Sequence, residues 1–359
     1  MTKNNLSQRQ YHLDYLRVFA SIAIILLHVS AQNMNDIELA STEWNICNIF
    51  NGFSRWGVPV FVMMSGALFL PREIPIKTIY NKYISRMAIA YVLWSAFYAI
   101  IDPIGNLIFK DGFQISFTQA IGSFISGAVH LWFLPMIIGI YMCIPLIKQL
   151  TKNDTTIKYF LLLSLIFCFI QTQTELVTTY LLNDSVQLIF ENIYTLFKNF
   201  NINLVVGFPA YFILGFYLNK TKISKKNRTI IYILGVIGLI STILLNLLAS
   251  KAAGESLQIF YYPTCVNVLL MSTAVFVWFK YNAKGNEKSN KIIIKLSKYS
   301  FGAFLVHIFI LKVLTAIGIQ STSFNPVLSV PLITIVATFA SYLTSSILNK
   351  IPIIKKYIV

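Results

Sequence analysis

Ten apolar windows of bilayer-spanning length follow one another along the chain, at roughly 13–31, 49–70, 86–104, 130–147, 157–172, 203–219, 229–249, 259–279, 300–318 and 327–348. Hydrocarbon offers no water to the peptide groups. Each window must therefore close its own backbone hydrogen bonds, which an α-helix of about 20 residues does. The pattern predicts an all-α, polytopic integral membrane protein with about ten transmembrane helices around a central cavity. A mean hydropathy of +0.68 with only 12% charged residues excludes an ordinary soluble domain. Residues 1–359 read as a single membrane-embedded domain.

The charges orient these windows independently of their hydropathy. With the amino terminus in the cytoplasm, twenty-three of the 29 Lys and Arg residues fall in cytoplasmic segments, while the opposite loops hold Lys110, Lys198 and Lys251. This is the positive-inside asymmetry, and moving the count by one span destroys it. Both termini are expected in the cytoplasm, and the chain in the cell (inner, cytoplasmic) membrane. The net charge of +16 is thus a topology signal. A nucleic-acid surface would gather its cations on one soluble face, so no nucleic-acid partner is expected.

The outer segments carry some structure of their own. Val186, Ile189, Ile193, Leu196, Phe197 and Phe200 recur at helical spacing, and so do Phe117, Ile121, Phe124 and Ile125. The first stretch predicts a helix lying on the outer surface or dipping back in, and the second an amphipathic piece before the fourth span. The four cysteines are far apart and form no C-x-x-C pair, which implies neither a disulfide framework nor a metal site. Val29-Ser30-Ala31 resembles a signal-peptide cleavage site, but Arg17 and His28 argue for an uncleaved first span.

That first span holds the residues hydrocarbon tolerates least. Asp14, Arg17, Ser21 and His28 lie near one stripe of a helix. Arg17 and His28 are separated by three turns and a rise of roughly 16 Å. Ionisable groups at such depth face a protein interior or a wet cavity. Arg55 enters the second span from outside, His130 enters the fourth from outside, and His307 lies within the ninth. Each also has a plain structural role open to it. Arg17 can snorkel and pair with Asp14, His130 can belong to an interfacial belt beside Trp132, Lys312 can snorkel, and juxtamembrane His12 can be solvated.

The chemistry open to these groups is narrow. An imidazole is a general base for a hydroxyl, and an arginine at the cytoplasmic mouth matches phosphate oxygens. A long donor with a phosphorylated head and a reactive far end fits the path between them, and acyl-coenzyme A has that shape. No serine or cysteine sits in a nucleophile motif, so direct transfer is simpler than an acyl-enzyme.

The stretch LDYLRVFASIAIILLH resembles the arginine, ten residues, histidine signature of membrane acyltransferase family 3, here Arg17 to His28. RWGVPVFVMMSG from Arg55, HLWFLPMIIGIYMCIPL from His130, FPAYFILGFYL from Phe208 and SFGAFLVH ending at His307 also look like that family. They are nearest its branch that O-acetylates cell-envelope glycans, such as the enterobacterial-common-antigen O-acetyltransferases. The resemblance implies transfer of an acyl group, usually acetyl from acetyl-CoA with no metal, to a hydroxyl of an envelope glycan or lipid-linked sugar. It makes His28 the catalytic residue and Arg17 its essential partner and donor-binding group. Arg55, His130, His307 and Asp14 become supporting residues. The esterase-like soluble domain that some members append is not recognised, which favours a stand-alone transferase.

Two other classes fit the same polar groups: a transporter of an envelope precursor or amino acid, and a non-catalytic partner in polysaccharide export. Assembly into a homo-oligomer is compatible with the transferase reading and with both alternatives.

Overall fold

The computed structural model describes residues 9–109, 116–182, 184–200, 202–352 and 354. Lys3, Lys110, Lys355 and Lys356, which enter the charge asymmetry, lie outside the described residues, as does the Val186 side chain. The protein is all-helical and polytopic. Among the described residues, seven helices are long and apolar enough to cross a membrane: Tyr11–Ala31, Ile76–Ile108, Asp154–Leu181, Lys225–Ala253, Ile259–Asn282, Glu287–Ala316 and Pro326–Leu348. An eighth span is obtained if Phe133–Met142 and Ile144–Leu150, bent by 60° at Cys143, count as one.

The difference from ten has a local cause. The 49–70 window falls on two 13-residue helices, Thr42–Ser54 and Gly57–Phe69, that meet at Arg55–Trp56. The 203–219 window is a short 3₁₀ turn at Asn203–Val205 followed by Pro209–Lys220. Hydropathy averages across such breaks. By contrast, the short 157–172 window lies within the 28-residue Asp154–Leu181 helix, whose outer part, Gln171–Leu181, is too polar to be counted.

Helix starts follow side-chain chemistry. Ser41, Asn153 and Ser224 each accept a backbone N–H three residues on, at 3.2, 2.8 and 3.2 Å, and Pro209 opens its helix where no N–H is needed. The two expected amphipathic helices are present as Phe117–Ser126 and Asp184–Asn199. Phe197 of the latter stacks 5.6 Å from Phe167.

The chain packs as two compact units. The first comprises Met1–Arg72, Gln149–Ser297 and Gln320–Ile335, and the second comprises Glu73–Lys148, Lys298–Ile319 and Val336–Val359. In the first unit, the Gly57–Phe69 and Pro209–Lys220 helices approach backbone to backbone. A Cβ on Gly66 would meet the Phe212 carbonyl, and one on Gly215 would meet the Met63 backbone. Small residues permit this approach, as in other helix pairs packed in lipid. Gly66→Val is therefore expected to lower stability by about 1–3 kcal/mol. Gly139→Ala, where an added Cβ meets nothing within 4 Å, should be neutral or slightly stabilising in the same thermal unfolding measurement in detergent.

Candidate active site

The Tyr11–Ala31 helix is unbroken, so the phase of Arg17 and His28 read from the sequence holds in the structure. Both side chains are half-buried, whereas Asp14 and Ser21 on the same stripe are buried. The helix is pinned at both ends. At its start the Asp14 carboxylate accepts Arg9 Nε at 2.7 Å, Arg9 Nη2 at 3.0 Å and Ser297 Oγ at 2.8 Å. These bonds hold the Arg9 guanidinium above its usual range. Asp14 is thus committed to Arg9 and Ser297, a bidentate pair that fixes where the helix enters. His12, expected to be solvated, instead contacts Asn219 Oδ1 at 3.0 Å. At the far end, Asn33 receives Ser321 Oγ at 3.2 Å and donates to Gln320 Oε1 at 3.4 Å.

Arg55 sits at the Arg55–Trp56 junction of the first unit, and its charge is solvated by side chains. Nε donates to Asn51 Oδ1 at 2.6 Å and Nη2 to Gln258 Oε1 at 3.2 Å, while the guanidinium carbon lies 4.1 Å over the Tyr261 ring. Asn51 in turn donates to the carbonyl of Leu27, the neighbour of His28, at 3.4 Å. Arg55 is therefore tied to the first helix beside its histidine. Tyr261 is held from behind, its hydroxyl donating to Asn48 Oδ1. The Asn48 amide donates to the Ile243 carbonyl at 3.1 Å, and Asn246 donates to the Leu257 carbonyl at 2.9 Å.

His130 and His307 lie in the second unit and come together there, with ring centroids 4.9 Å apart in a T-shaped arrangement. Both are buried. His130 Nε2 is 3.1 Å from the Leu305 carbonyl and His307 Nδ1 is 2.5 Å from the Phe304 carbonyl. A carbonyl only accepts, so each of these nitrogens carries the proton. Tyr98 completes the cluster. Its hydroxyl donates to Leu305 O at 3.0 Å and accepts from Phe309 N at 3.1 Å, and its ring is 5.3 Å from that of His130. The reading of His130 as an interfacial belt residue does not survive this burial. Lys312, assigned no role from the sequence, pairs with Asp102 at 2.5 Å.

A family model described as an acyltransferase domain matches residues 10–346. The chain belongs to the acyltransferase 3 family. It is a multi-pass membrane acyltransferase. The match runs through both packing units and includes all six candidate residues. No curated protein matches the chain, and no solved structure does.

Asn51, Gln258, Tyr261 and Tyr98 are absent from the sequence-based candidates. Asn51 was detectable in principle, as an amide inside an apolar window one helical turn before Arg55. Gln258 and Tyr261 are more than two hundred residues from Arg55, and nothing local marks them. Asn51→Leu removes the amide's bonds to Arg55, Leu27 and Met34. It is expected to lower thermal stability by about 1–3 kcal/mol, whereas Asn51→Asp keeps an acceptor for Arg55 and should lose less. Equal losses would show that the Asn51–Arg55 bond contributes nothing.

Proposed function

We propose that this acyltransferase moves an acyl group, acetyl in the simplest case, from acyl-CoA to a hydroxyl of an envelope glycan or its lipid-linked precursor. The observation that carries the reading is the continuous, doubly pinned Tyr11–Ala31 helix, which sets Arg17 and His28 on one stripe roughly 16 Å apart. With the amino terminus cytoplasmic, Arg17 stands at the inner mouth and His28 in the outer half. Ten crossings, three of them made by broken or bent helices, keep both termini in the cytoplasm and the single domain in the cytoplasmic membrane.

In this mechanism the Arg17 guanidinium takes the coenzyme A phosphates and the pantetheine arm carries the thioester toward His28. The imidazole removes the proton of the acceptor hydroxyl as its oxygen attacks the thioester carbonyl. The C–S bond then breaks, and the thiolate leaves with the proton returned by His28. Arg55, fixed beside His28 through Asn51 and Leu27, stabilises the developing oxyanion or orients the acceptor. Asp14 positions the helix. His130 and His307 keep the supporting role that the resemblance implies and take no step of their own.

The decisive measurement is alkali-labile acyl ester in the envelope of cells lacking the gene, carrying it, or carrying His28→Ala at equal membrane abundance. His28→Ala should lower ester formation on the order of 10²–10⁴-fold. Arg17→Lys keeps the charge but loses the planar fork, and should raise the KM for acyl-CoA more than it lowers kcat. Unchanged ester in every strain would move the reading to transport of an unmodified solute.

A further inference from the structure

Arg55 is held without being neutralised. Its Nε donates to Asn51 Oδ1 at 2.6 Å, its Nη2 donates to Gln258 Oε1 at 3.2 Å, and the Tyr261 ring covers its face. All three partners are uncharged. Among the described residues no carboxylate pairs with Arg55, whereas Arg9 in the same unit has Asp14 at 2.7 Å. A carboxylate is the ordinary companion of a cation withdrawn from water. Amides and a ring solvate the charge and leave it in place.

Gln258 owes its place to the backbone around it. It caps the 3₁₀ turn Ile259–Tyr261, in which residues three apart eclipse, so Gln258 and Tyr261 reach the same guanidinium. The turn is anchored on both sides. Leu257 N donates to Ser250 Oγ at 3.1 Å and the Leu257 carbonyl accepts Asn246 Nδ2 at 2.9 Å. The Phe260 carbonyl accepts Asn267 Nδ2 at 2.8 Å, the Pro263 carbonyl accepts the Tyr211 hydroxyl at 2.6 Å, and Ile259 and Phe260 are buried. A glutamate has the length and shape of glutamine, and here it would place a charged oxygen on the same Arg55 nitrogen in a stronger, charge-assisted bond. If fastening Arg55 were the sole requirement, the acid would do it better than the amide.

We infer that Gln258 is a positioning residue, which fixes the Arg55 guanidinium while preserving its positive charge for the oxyanion of acyl transfer. The inference rests on the role given to Arg55 in the proposed function. As the acceptor oxygen bonds to the thioester carbon, the carbonyl π pair moves onto the carbonyl oxygen. The pair returns when the C–S bond breaks and the thiolate leaves. A full cation held beside that oxygen in low-dielectric surroundings stabilises the intermediate charge, and a neutralised ion pair does so far less.

The test uses the full-length protein in proteoliposomes, with radiolabelled acetyl-CoA as donor and the envelope fraction of cells lacking the gene as acceptor. Alkali-labile ester gives kcat and the KM for each substrate, and thermal unfolding is followed on the same preparations. Gln258→Glu should lower kcat at least ten-fold, keep both KM values within two-fold and unfold at or above the parent's temperature. Gln258→Met loses the bond without adding a charge. Per folded molecule it should keep at least three-fold more kcat than Gln258→Glu, although it unfolds at a lower temperature. An amide with a purely structural role would make activity follow stability instead. A smaller loss of kcat in Gln258→Glu, or a Gln258→Glu protein less stable than the parent, overturns the inference. So does a kcat in Gln258→Met no higher than in Gln258→Glu, and so does a rise in the acceptor KM in place of the fall in kcat, which would make Arg55 an acceptor-binding group. Absence of ester in the parent overturns the acetyl-transfer reading and the inference with it, whereas ester in the parent confines any failure to Gln258.

Discussion

A cation inside a bilayer must carry its own solvent, and much of the first unit is arranged around that requirement at Arg55. Leaving a guanidinium in hydrocarbon costs several kcal/mol. Here its Nε and Nη2 donate to Asn51 and Gln258, and the Tyr261 ring covers its face. The supply does not stop there, since an amide oriented toward an arginine needs its own second partner. Asn51 finds it at Leu27, and Tyr261 finds it at Asn48, which reaches Ile243. The chain of bonds runs from the first helix through the Thr42–Ser54 helix to the Lys225–Ala253 helix. The polar groups needed to keep one charge in place also lock three helices to each other, which explains why asparagines recur in windows that hydropathy alone would fill with leucine.

The same reasoning explains the break at Arg55–Trp56. In a straight 49–70 helix Arg55 would lie about two turns in from one end, where its charge still needs partners. Ending one helix and starting another at this point brings the Gln258 and Tyr261 side chains within reach. It also leaves Gly57–Phe69 short enough to lie against Pro209–Lys220 at the Gly66 and Gly215 contacts.

How much of this can be read from sequence depends on the range of the interaction. The Arg17–His28 phase is local, set by 3.6 residues per turn, and it holds because nothing interrupts Tyr11–Ala31. The two amphipathic helices, Phe117–Ser126 and Asp184–Asn199, are equally local. All ten windows are visible as hydropathy, but the breaks within three of them are not, because a 19-residue average does not distinguish one helix from two that meet at a junction. The partners of Asp14 show the limit. The i, i+3 spacing suggests Arg17, yet Arg9 and Ser297 take the carboxylate, one from before the helix and the other 283 residues away. Long-range partners of this kind follow from tertiary packing, and a single sequence carries no sign of them.

The histidine pair of the second unit shows what such packing adds to chemistry. A lone neutral histidine has two tautomers, and nothing in a sequence chooses between them. Here Phe304 and Leu305 present successive carbonyls, and the two rings donate to them from Nδ1 of His307 and Nε2 of His130. The choice is opposite in the two residues, so their remaining nitrogens, Nε2 and Nδ1, are the basic ones. Tyr98 reinforces the arrangement by donating to the same Leu305 oxygen and accepting from Phe309 N, which fixes one helical turn around His307. Backbone carbonyls do not titrate, so this tautomer choice is independent of any neighbouring charge. The backbone around the pair thus fixes the tautomer of both imidazoles, which no local sequence feature could do.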